Sequence, residues 1–192
     1  MTQPKIYLAG PEVFLAEVHA IATEKKALCG RYGFVGVFPF DAEINDLQDL
    51  PLQAQGRRIS EENEAMMRGA DCVIANCTPF RSVSMDIGTG YEIGFMRGLG
   101  KPVFGYTNLT ALLRERTERY NETLGPDAID PYTAGTDIEN FDMFENLMIG
   151  AALQNFDCDV VRNDAEPGTE LTDLRGFEQC LGLARKVFDK MS

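Results

Sequence analysis

Two acidic residues flank a glycine-rich turn near the middle of the chain. Asp86 and Glu92 are separated by the run Ile-Gly-Thr-Gly-Tyr. Paired carboxylates serve glycosyl transfer: one attacks the anomeric carbon and forms a covalent glycosyl-enzyme. A second group then holds the sugar or moves protons. Cleavage of a glycosidic bond is therefore one hypothesis for this segment.

The same spacing has two other interpretations. In Thr89-Gly-Tyr-Glu92, Thr89 could cap a helix while Glu92 reaches back to the cap, and an acidic first turn also suits the helix dipole. The pattern Gly88-x-Gly90-x-x-x-Gly94 loosely resembles a dinucleotide-binding turn. Its spacing departs from that motif, and two carboxylates would repel a pyrophosphate. On spacing alone, the cap is favoured over catalysis.

The elements around this segment alternate between strands and helices. Apolar runs predict strands at 5–9, 34–38, 72–75 and 103–106, and helical spacing predicts helices at 12–29, 53–69 and about 90–99. This order predicts an α/β fold: a doubly wound, flavodoxin-like parallel sheet of about five strands flanked by helices. Ligands bind at the carboxyl ends of such strands, and the acidic pair follows the strand at 72–75.

The second half of the chain is less regular. A helix is predicted at 108–120, and Gly and Pro residues then mark a long loop. A helix at 141–156, a short strand at 157–161 and a final helix at 172–190 complete the pattern. We expect one domain over 1–192, with an irregular insertion at about 107–142.

Composition limits the ligands and the compartment. The 192 residues carry a net charge of −12, which disfavours nucleic acid and suits a neutral substrate. We find neither a secretory start nor a membrane-length apolar run, so we expect a cytoplasmic protein with no membrane partner. Five scattered cysteines fit reduced thiols. A single histidine, His19, excludes a multi-histidine metal site and disfavours a Ser-His-Asp hydrolase.

Four segments, in order, resemble the nucleoside 2-deoxyribosyltransferase family. The chain opens with Lys5-Ile-Tyr-Leu-Ala-Gly-Pro-Glu-Val-Phe14, and Asn63 precedes the strand that begins Asp71-Cys-Val-Ile. Asp86-x-Gly-Thr-Gly-Tyr-Glu92-x-Gly94 is similar to the family's active-site segment, and Asn146-Leu-Met148 is similar to its late motif. Together they span nearly the whole chain.

The resemblance implies a division of roles at the reacting sugar. Glu92 would be the nucleophile that attacks the deoxyribose anomeric carbon. Tyr7 would orient that carboxylate through its hydroxyl, and Asp86 would hold the 5′-hydroxyl of the sugar. From the pattern alone, an ordinary half-buried aromatic on a core strand is the favoured interpretation of Tyr7.

Further residues would bind the substrate. Asn63 would help to fix the sugar or the base, at a position where some members of the family carry Asp. Phe14 would pack on the base. Asn146, and with it Met148, would reach the sugar site of a partner subunit. The resemblance thus implies a homo-oligomer with shared active sites, although pattern alone makes Met148 a core residue and Asn146 a solvent-facing one.

The implied reaction is the transfer of 2-deoxyribose between free nucleobases, with retention, as in nucleotide salvage. It requires no cofactor and no metal. One rival is a hydrolase of 2′-deoxynucleosides or of deoxynucleoside 5′-monophosphates, for which Arg57, Arg58 and Arg81 are the available cations. The other rival is a non-catalytic sensor of nucleosides or nucleotides, which would bind without turnover.

Overall fold

A computed structural model describes residues 2–42, 44–124, 136–156 and 158–191. One sheet of five parallel strands forms its centre, in the order β2-β1-β3-β4-β5. The strands are β1 (Lys5–Ala9), β2 (Val35–Val37), β3 (Cys72–Asn76), β4 (Val103–Thr107) and β5 (Val161–Arg162). The predicted α/β, flavodoxin-like parallel fold is confirmed.

Helices cover both faces of this sheet. They are α1 (Val18–Arg31), α2 (Leu52–Gly69), α3 (Ile87–Gly98), α4 (Leu113–Leu124), α5 (Leu147–Leu153) and α6 (Arg175–Met191). Within the described ranges, no helix is both long and apolar enough to cross a bilayer.

The core divides into two layers because successive strand side chains point to opposite faces. On β1, Ile6 and Leu8 join the cluster that α1 and α6 cover. Tyr7 and Ala9 join the opposite cluster, which packs beneath α2, α3 and α5. Tyr7 is therefore directed toward the helix that carries the glycine-rich turn.

Several predicted boundaries are wrong. The helix expected at 12–29 starts only at Val18, because Pro11 opens a short 3₁₀ turn that ends at Phe14. The helix expected at 141–156 is only α5, because the Asn146 side chain caps it by accepting a hydrogen bond from the Met148 amide. The strand expected to be buried at 34–38 is an edge strand, with Val35 40% exposed.

The insertion expected at about 107–142 is only partly described. Its helix starts later than predicted, as α4, and residues 125–135 lie outside the described ranges.

The strand order creates a crevice between β1 and β3. From β1 the chain passes outward to β2 on one side, then returns to β3 on the other. In this order, ligands bind at the β1/β3 switch point, beyond the carboxyl ends of the strands. The segments that follow β1 and β3 are consequently the ones that line the candidate site.

Candidate active site

A hydrogen bond between β1 and α3 marks the floor of the crevice. The Tyr7 hydroxyl donates to Glu92 Oε1 at 2.6 Å, across 85 positions of sequence. Tyr7 is fully buried and Glu92 is half-buried. Glu92 shares the inward side of α3 with Thr89, Ile93 and Met96, as helical spacing requires.

The cap of α3 differs from the capping box considered above. Asp86 is the N-cap, and its Oδ2 accepts from the Thr89 amide at 2.9 Å and from the Thr89 hydroxyl at 3.1 Å. The helix thus starts at Ile87, and Glu92 lies in its second turn rather than its first. The proposed Thr89–Glu92 cap is wrong because Asp86 is the N-cap and Thr89 lies inside the helix, where its amide and hydroxyl both donate to Asp86. Glu92 is thereby left free to face the crevice.

Burial raises the pKa of Glu92 to about 7. The hydrogen bond from Tyr7 lowers that pKa, while the charges of Asp86 and Glu12 raise it. The pKa of Tyr7 is raised strongly, first by burial and then by the charge of Glu92, so its hydroxyl stays protonated and donates. Glu92 consequently exchanges its proton near neutral pH, where a small change in its surroundings changes its charge.

A cleft of about 220 Å³ lies between α2 and α3, with Glu92 in its wall. Asn63 faces Glu92 across this cleft, and its buried Oδ1 has no hydrogen-bond partner among the described residues. Buried polar atoms nearly always have a partner, so this oxygen is suited to accept a hydrogen bond from a ligand. Two larger cavities, of about 270 and 480 Å³, open beside α4, and none of the predicted site residues is among their described lining.

Aromatic residues from the two loops of the crevice meet at its rim. The Phe14 ring, after β1, stacks on the Phe80 ring, after β3, at 5.4 Å between centroids and 12° between planes. The Arg81 guanidinium lies 4.7 Å from the Phe14 centroid and 4.5 Å from the Phe80 centroid. The sequence did not predict that Phe80 and Arg81 contact Phe14. The available signal in the sequence was Phe80 itself, an aromatic residue four positions after the end of the buried strand β3.

The late motif lies apart from this cleft. Asn146 Oδ1 accepts from the Met148 amide at 3.0 Å, and its Nδ2 donates to Glu139 at 2.7 Å. Met148 is 71% exposed, contrary to the core position that pattern alone suggested. Neither side chain is among the described residues that line the Glu92 cleft. Both lie at the exposed start of α5, which packs on α3.

A buried charged network beneath the crevice was missed in the sequence. Glu12 and Lys25 form an ion pair with side chains that are 1% and 0% exposed. Asn76 Nδ2 and the Tyr106 hydroxyl also donate to Glu12 Oε1, at 3.0 and 3.1 Å. The signal was Lys25 itself, which falls on the apolar side of α1, four positions after Ile21. The network ties the turn after β1 to β3, β4 and α1.

The arrangement has the parts of a glycosyl-transfer site. A partly buried carboxylate with a raised pKa faces a cleft, and a hydroxyl donor holds it. The amide opposite has an acceptor oxygen without a partner among the residues that the structure describes. In the parts of the chain that the structure describes, no group of three or more His, Cys, Asp or Glu side chains could hold a metal ion.

Comparison with known proteins identifies the family and the fold. Residues 6–148 match the nucleoside 2-deoxyribosyltransferase family. A curated but uncharacterised protein of Schizosaccharomyces pombe is 33% identical over 134 residues, which is 69% of this chain. The match spans 64% of that protein, so the chain covers less than two thirds of this curated relative's length.

Solved structures share the fold. A 2-deoxyribosyltransferase from Leishmania mexicana is 26% identical, with a TM-score of 0.64 over 95% of this chain and 97% of that one. A conserved protein from Enterococcus faecalis V583 is 17% identical, with a TM-score of 0.52 over 95% of this chain and 99% of that one. At that identity, the second likeness concerns the fold alone.

Proposed function

The chain belongs to the nucleoside 2-deoxyribosyltransferase family, and on that basis we propose that it transfers 2-deoxyribose between nucleobases through a covalent intermediate on Glu92. One observation carries the proposal: a carboxylate held by a buried tyrosine hydroxyl at 2.6 Å faces a cleft. Its substrates are nucleosides and free nucleobases, neutral molecules that suit a chain of net charge −12.

The first half of the reaction forms the intermediate. An ionised Glu92 oxygen bonds to C1′ of the deoxyribose, and the C1′–N bond breaks. The electron pair of that bond goes to the leaving base, which takes up a proton from solvent. The hydrogen bond from Tyr7 favours the ionised carboxylate and fixes its orientation. Asn63, with its unpartnered oxygen, accepts a hydrogen bond from the sugar or the base.

The second half reverses these steps with another base. A nitrogen of the incoming base attacks C1′ from the face that the first base left, and the Glu92 carboxylate departs. Two inversions give net retention. Water would enter the same way, so transfer and hydrolysis differ only in which nucleophile reaches the vacated face.

One observation favours a free 5′-hydroxyl over a 5′-phosphate. Asp86 uses Oδ2 for the cap of α3, and its other oxygen can accept a hydrogen bond from a hydroxyl, whereas its charge would repel a phosphate. We therefore propose unphosphorylated deoxynucleosides as the donors.

The decisive experiment uses the Glu92→Ala variant. Purified protein is incubated with a 2′-deoxynucleoside and a different free base, and products are separated by chromatography. We expect the wild type to form the new nucleoside and the variant to lose at least about a thousandfold in rate, because the nucleophile is absent. Without an acceptor base, mass spectrometry of acid-quenched wild type should show a 2-deoxyribosyl adduct on the peptide that contains Glu92.

The Glu24→Ala variant is the matched control, because Glu24 is an exposed glutamate on α1, outside the crevice. It should keep wild-type activity. Near-normal exchange by Glu92→Ala would overturn the assignment. Release of free base without any new nucleoside would show that the enzyme is a hydrolase rather than a transferase. Tight nucleoside binding without turnover would favour a non-catalytic sensor.

A further inference from the structure

The aromatic–guanidinium cluster of Phe14, Phe80 and Arg81 lies in the loops beyond the carboxyl ends of β1 and β3, and none of the three is among the described lining of the Glu92 cleft. Phe14 follows β1 and Phe80 follows β3, the two strands that border the switch-point crevice. Their stacked rings therefore join both sides of the crevice at its rim. Phe14 is 53% exposed, so part of its ring remains open for stacking. Tyr7, which donates a hydrogen bond to Glu92, lies on β1, the strand that precedes Phe14.

Arg81 is held in an unusual backbone conformation within this cluster. Its φ is 56°, a left-handed value that few residues other than glycine adopt. Such conformations persist only where the surroundings impose them, and they are concentrated at functional sites. The conformation directs an exposed arginine onto two phenylalanine rings rather than toward a carboxylate.

The loop that carries Arg81 is anchored to the body of the protein. The Phe80 amide donates to the Ser84 carbonyl at 3.0 Å, which closes a turn around Arg81. Buried Glu145 accepts from the Ser84 hydroxyl at 2.5 Å and from the Met85 amide at 3.0 Å. The guanidinium is thus presented from a fixed loop, as specific recognition requires.

No carboxylate pairs with Arg81 among the described residues, although the chain carries 30 acidic residues against 18 basic ones. Most other arginines in the described ranges have an ion pair or a carbonyl partner. A guanidinium has five N–H donors and no acceptor. The Arg81 Cζ lies 4.7 and 4.5 Å from the two ring centroids, and without a carboxylate partner in the part of the chain that the structure describes, its donors remain available to a ligand.

We propose that Phe14, Phe80 and Arg81 recognise the nucleobase and favour 6-oxopurines over 6-aminopurines. The inference rests on the proposed deoxyribosyl transfer and deepens it. A 6-oxopurine presents two acceptors, O6 and N7, on one edge, and an arginine can donate to both. A 6-aminopurine presents N7 beside an amino donor, which faces the guanidinium donors unfavourably.

The same contact assists the chemical step. As the C1′–N bond breaks, negative charge develops on the base and spreads onto O6 of a 6-oxopurine. A fixed cation at that edge stabilises this charge more than it stabilises the bound nucleoside. Arg81 should therefore affect kcat as well as KM when the base is a 6-oxopurine.

The test is label exchange in two identity reactions: hypoxanthine with 2′-deoxyinosine, and adenine with 2′-deoxyadenosine. In Arg81→Gln we expect kcat/KM to fall about tenfold or more for the first reaction, the usual discrimination of one bidentate contact, and less than about threefold for the second. Arg81→Lys keeps the positive charge but loses the paired N–H donors of the guanidinium. Its kcat/KM for the hypoxanthine reaction should therefore lie between those of the wild type and Arg81→Gln. The control is Arg97→Gln, an exposed arginine in the last turn of α3, which should change neither reaction.

Equal losses for both purines, or no loss in either, would overturn the proposal. So would a loss confined to deoxynucleoside 5′-monophosphates, which would make Arg81 a phosphate contact. Equilibrium dialysis with free hypoxanthine and adenine provides a readout without turnover. If the wild type exchanges no base at all, the proposed transfer fails, while a preference for hypoxanthine that Arg81→Gln abolishes would still support base recognition.

Discussion

At the scale of single residues, the site depends on one carboxyl group that titrates near neutral pH. Burial raises the pKa of Glu92 to about 7, and the hydroxyl of Tyr7 opposes that rise. A nucleophile must be ionised to attack, so activity should increase as pH rises through this pKa. In the proposed reaction, we therefore expect Tyr7 to affect the rate through the charge of Glu92 as well as through its orientation.

The Tyr7→Phe variant tests this coupling. It keeps the buried ring and removes only the donor, so the pKa of Glu92 should rise further and the acidic limb of kcat/KM against pH should move upward by about one unit. The activity loss should be larger at pH 6 than at pH 8, because a greater share of Glu92 becomes protonated at the lower pH.

Tyr32→Phe is a suitable control, because the Tyr32 hydroxyl contacts Glu178 at 3.4 Å, away from the crevice. Its pH profile should match the wild type. An unshifted acidic limb in Tyr7→Phe would contradict a role for the hydroxyl in setting the charge of Glu92.

At the scale of elements, the start of α3 combines a helix cap with a proposed sugar contact. Asp86 Oδ2 accepts from the Thr89 amide and hydroxyl, which begins the helix at Ile87 and sets the rotation that brings Glu92 toward Tyr7. One side chain thus positions the helix while its other oxygen remains for the 5′-hydroxyl.

Two substitutions separate these roles. Asp86→Asn keeps a capping oxygen, so its unfolding free energy should stay within about 0.5 kcal/mol of wild type, whereas Asp86→Ala should lose about 1 kcal/mol in urea unfolding. Both variants lose the charged acceptor, so both should raise KM for deoxynucleosides about tenfold. A 2′,5′-dideoxynucleoside, which lacks the hydroxyl, should be insensitive to Asp86→Asn. Normal KM in that variant would leave Asp86 as a helix cap only.

At the scale of the whole molecule, the late motif is the proposed link between subunits. Asn146 and Met148 stand at the exposed start of α5 and are not among the described lining of the Glu92 cleft. We propose that they complete the site of a neighbouring copy in a homo-oligomer. An active site would then need Glu92 from one chain and Asn146 from another.

Mixing two inactive variants tests this arrangement. Glu92→Ala and Asn146→Ser, which keeps a helix-capping oxygen, should each be nearly inactive alone. The two variants are mixed in equal amounts, unfolded and refolded together. About a quarter of the sites should then contain both wild-type residues, because Glu92 and Asn146 come from different chains and each is intact in half of the chains. Asn140→Ser, an exposed asparagine of the same segment, should remain active alone. No recovery in the mixture, or full activity of Asn146→Ser, would contradict a shared site.

The sequence by itself determined the elements and their layering. Apolar runs and helical spacing depend on contacts within a few positions, so strands β1, β3 and β4 and helix α2 could be placed almost to the residue. The resemblance also singled out Tyr7 and Glu92, whose side chains meet at 2.6 Å. The alternation of strands and helices also predicted a doubly wound parallel sheet, whereas the order of its strands was not predicted.

Only the tertiary structure decided how the site is assembled. Asp86 rather than Thr89 caps α3, because that choice depends on how the turn after β3 is oriented against the sheet. The Glu12–Lys25 pair and the Phe14–Phe80–Arg81 cluster join residues from separate loops and helices. No local pattern encodes such contacts, because they arise only when the pairing of β1 with β3 brings distant segments together.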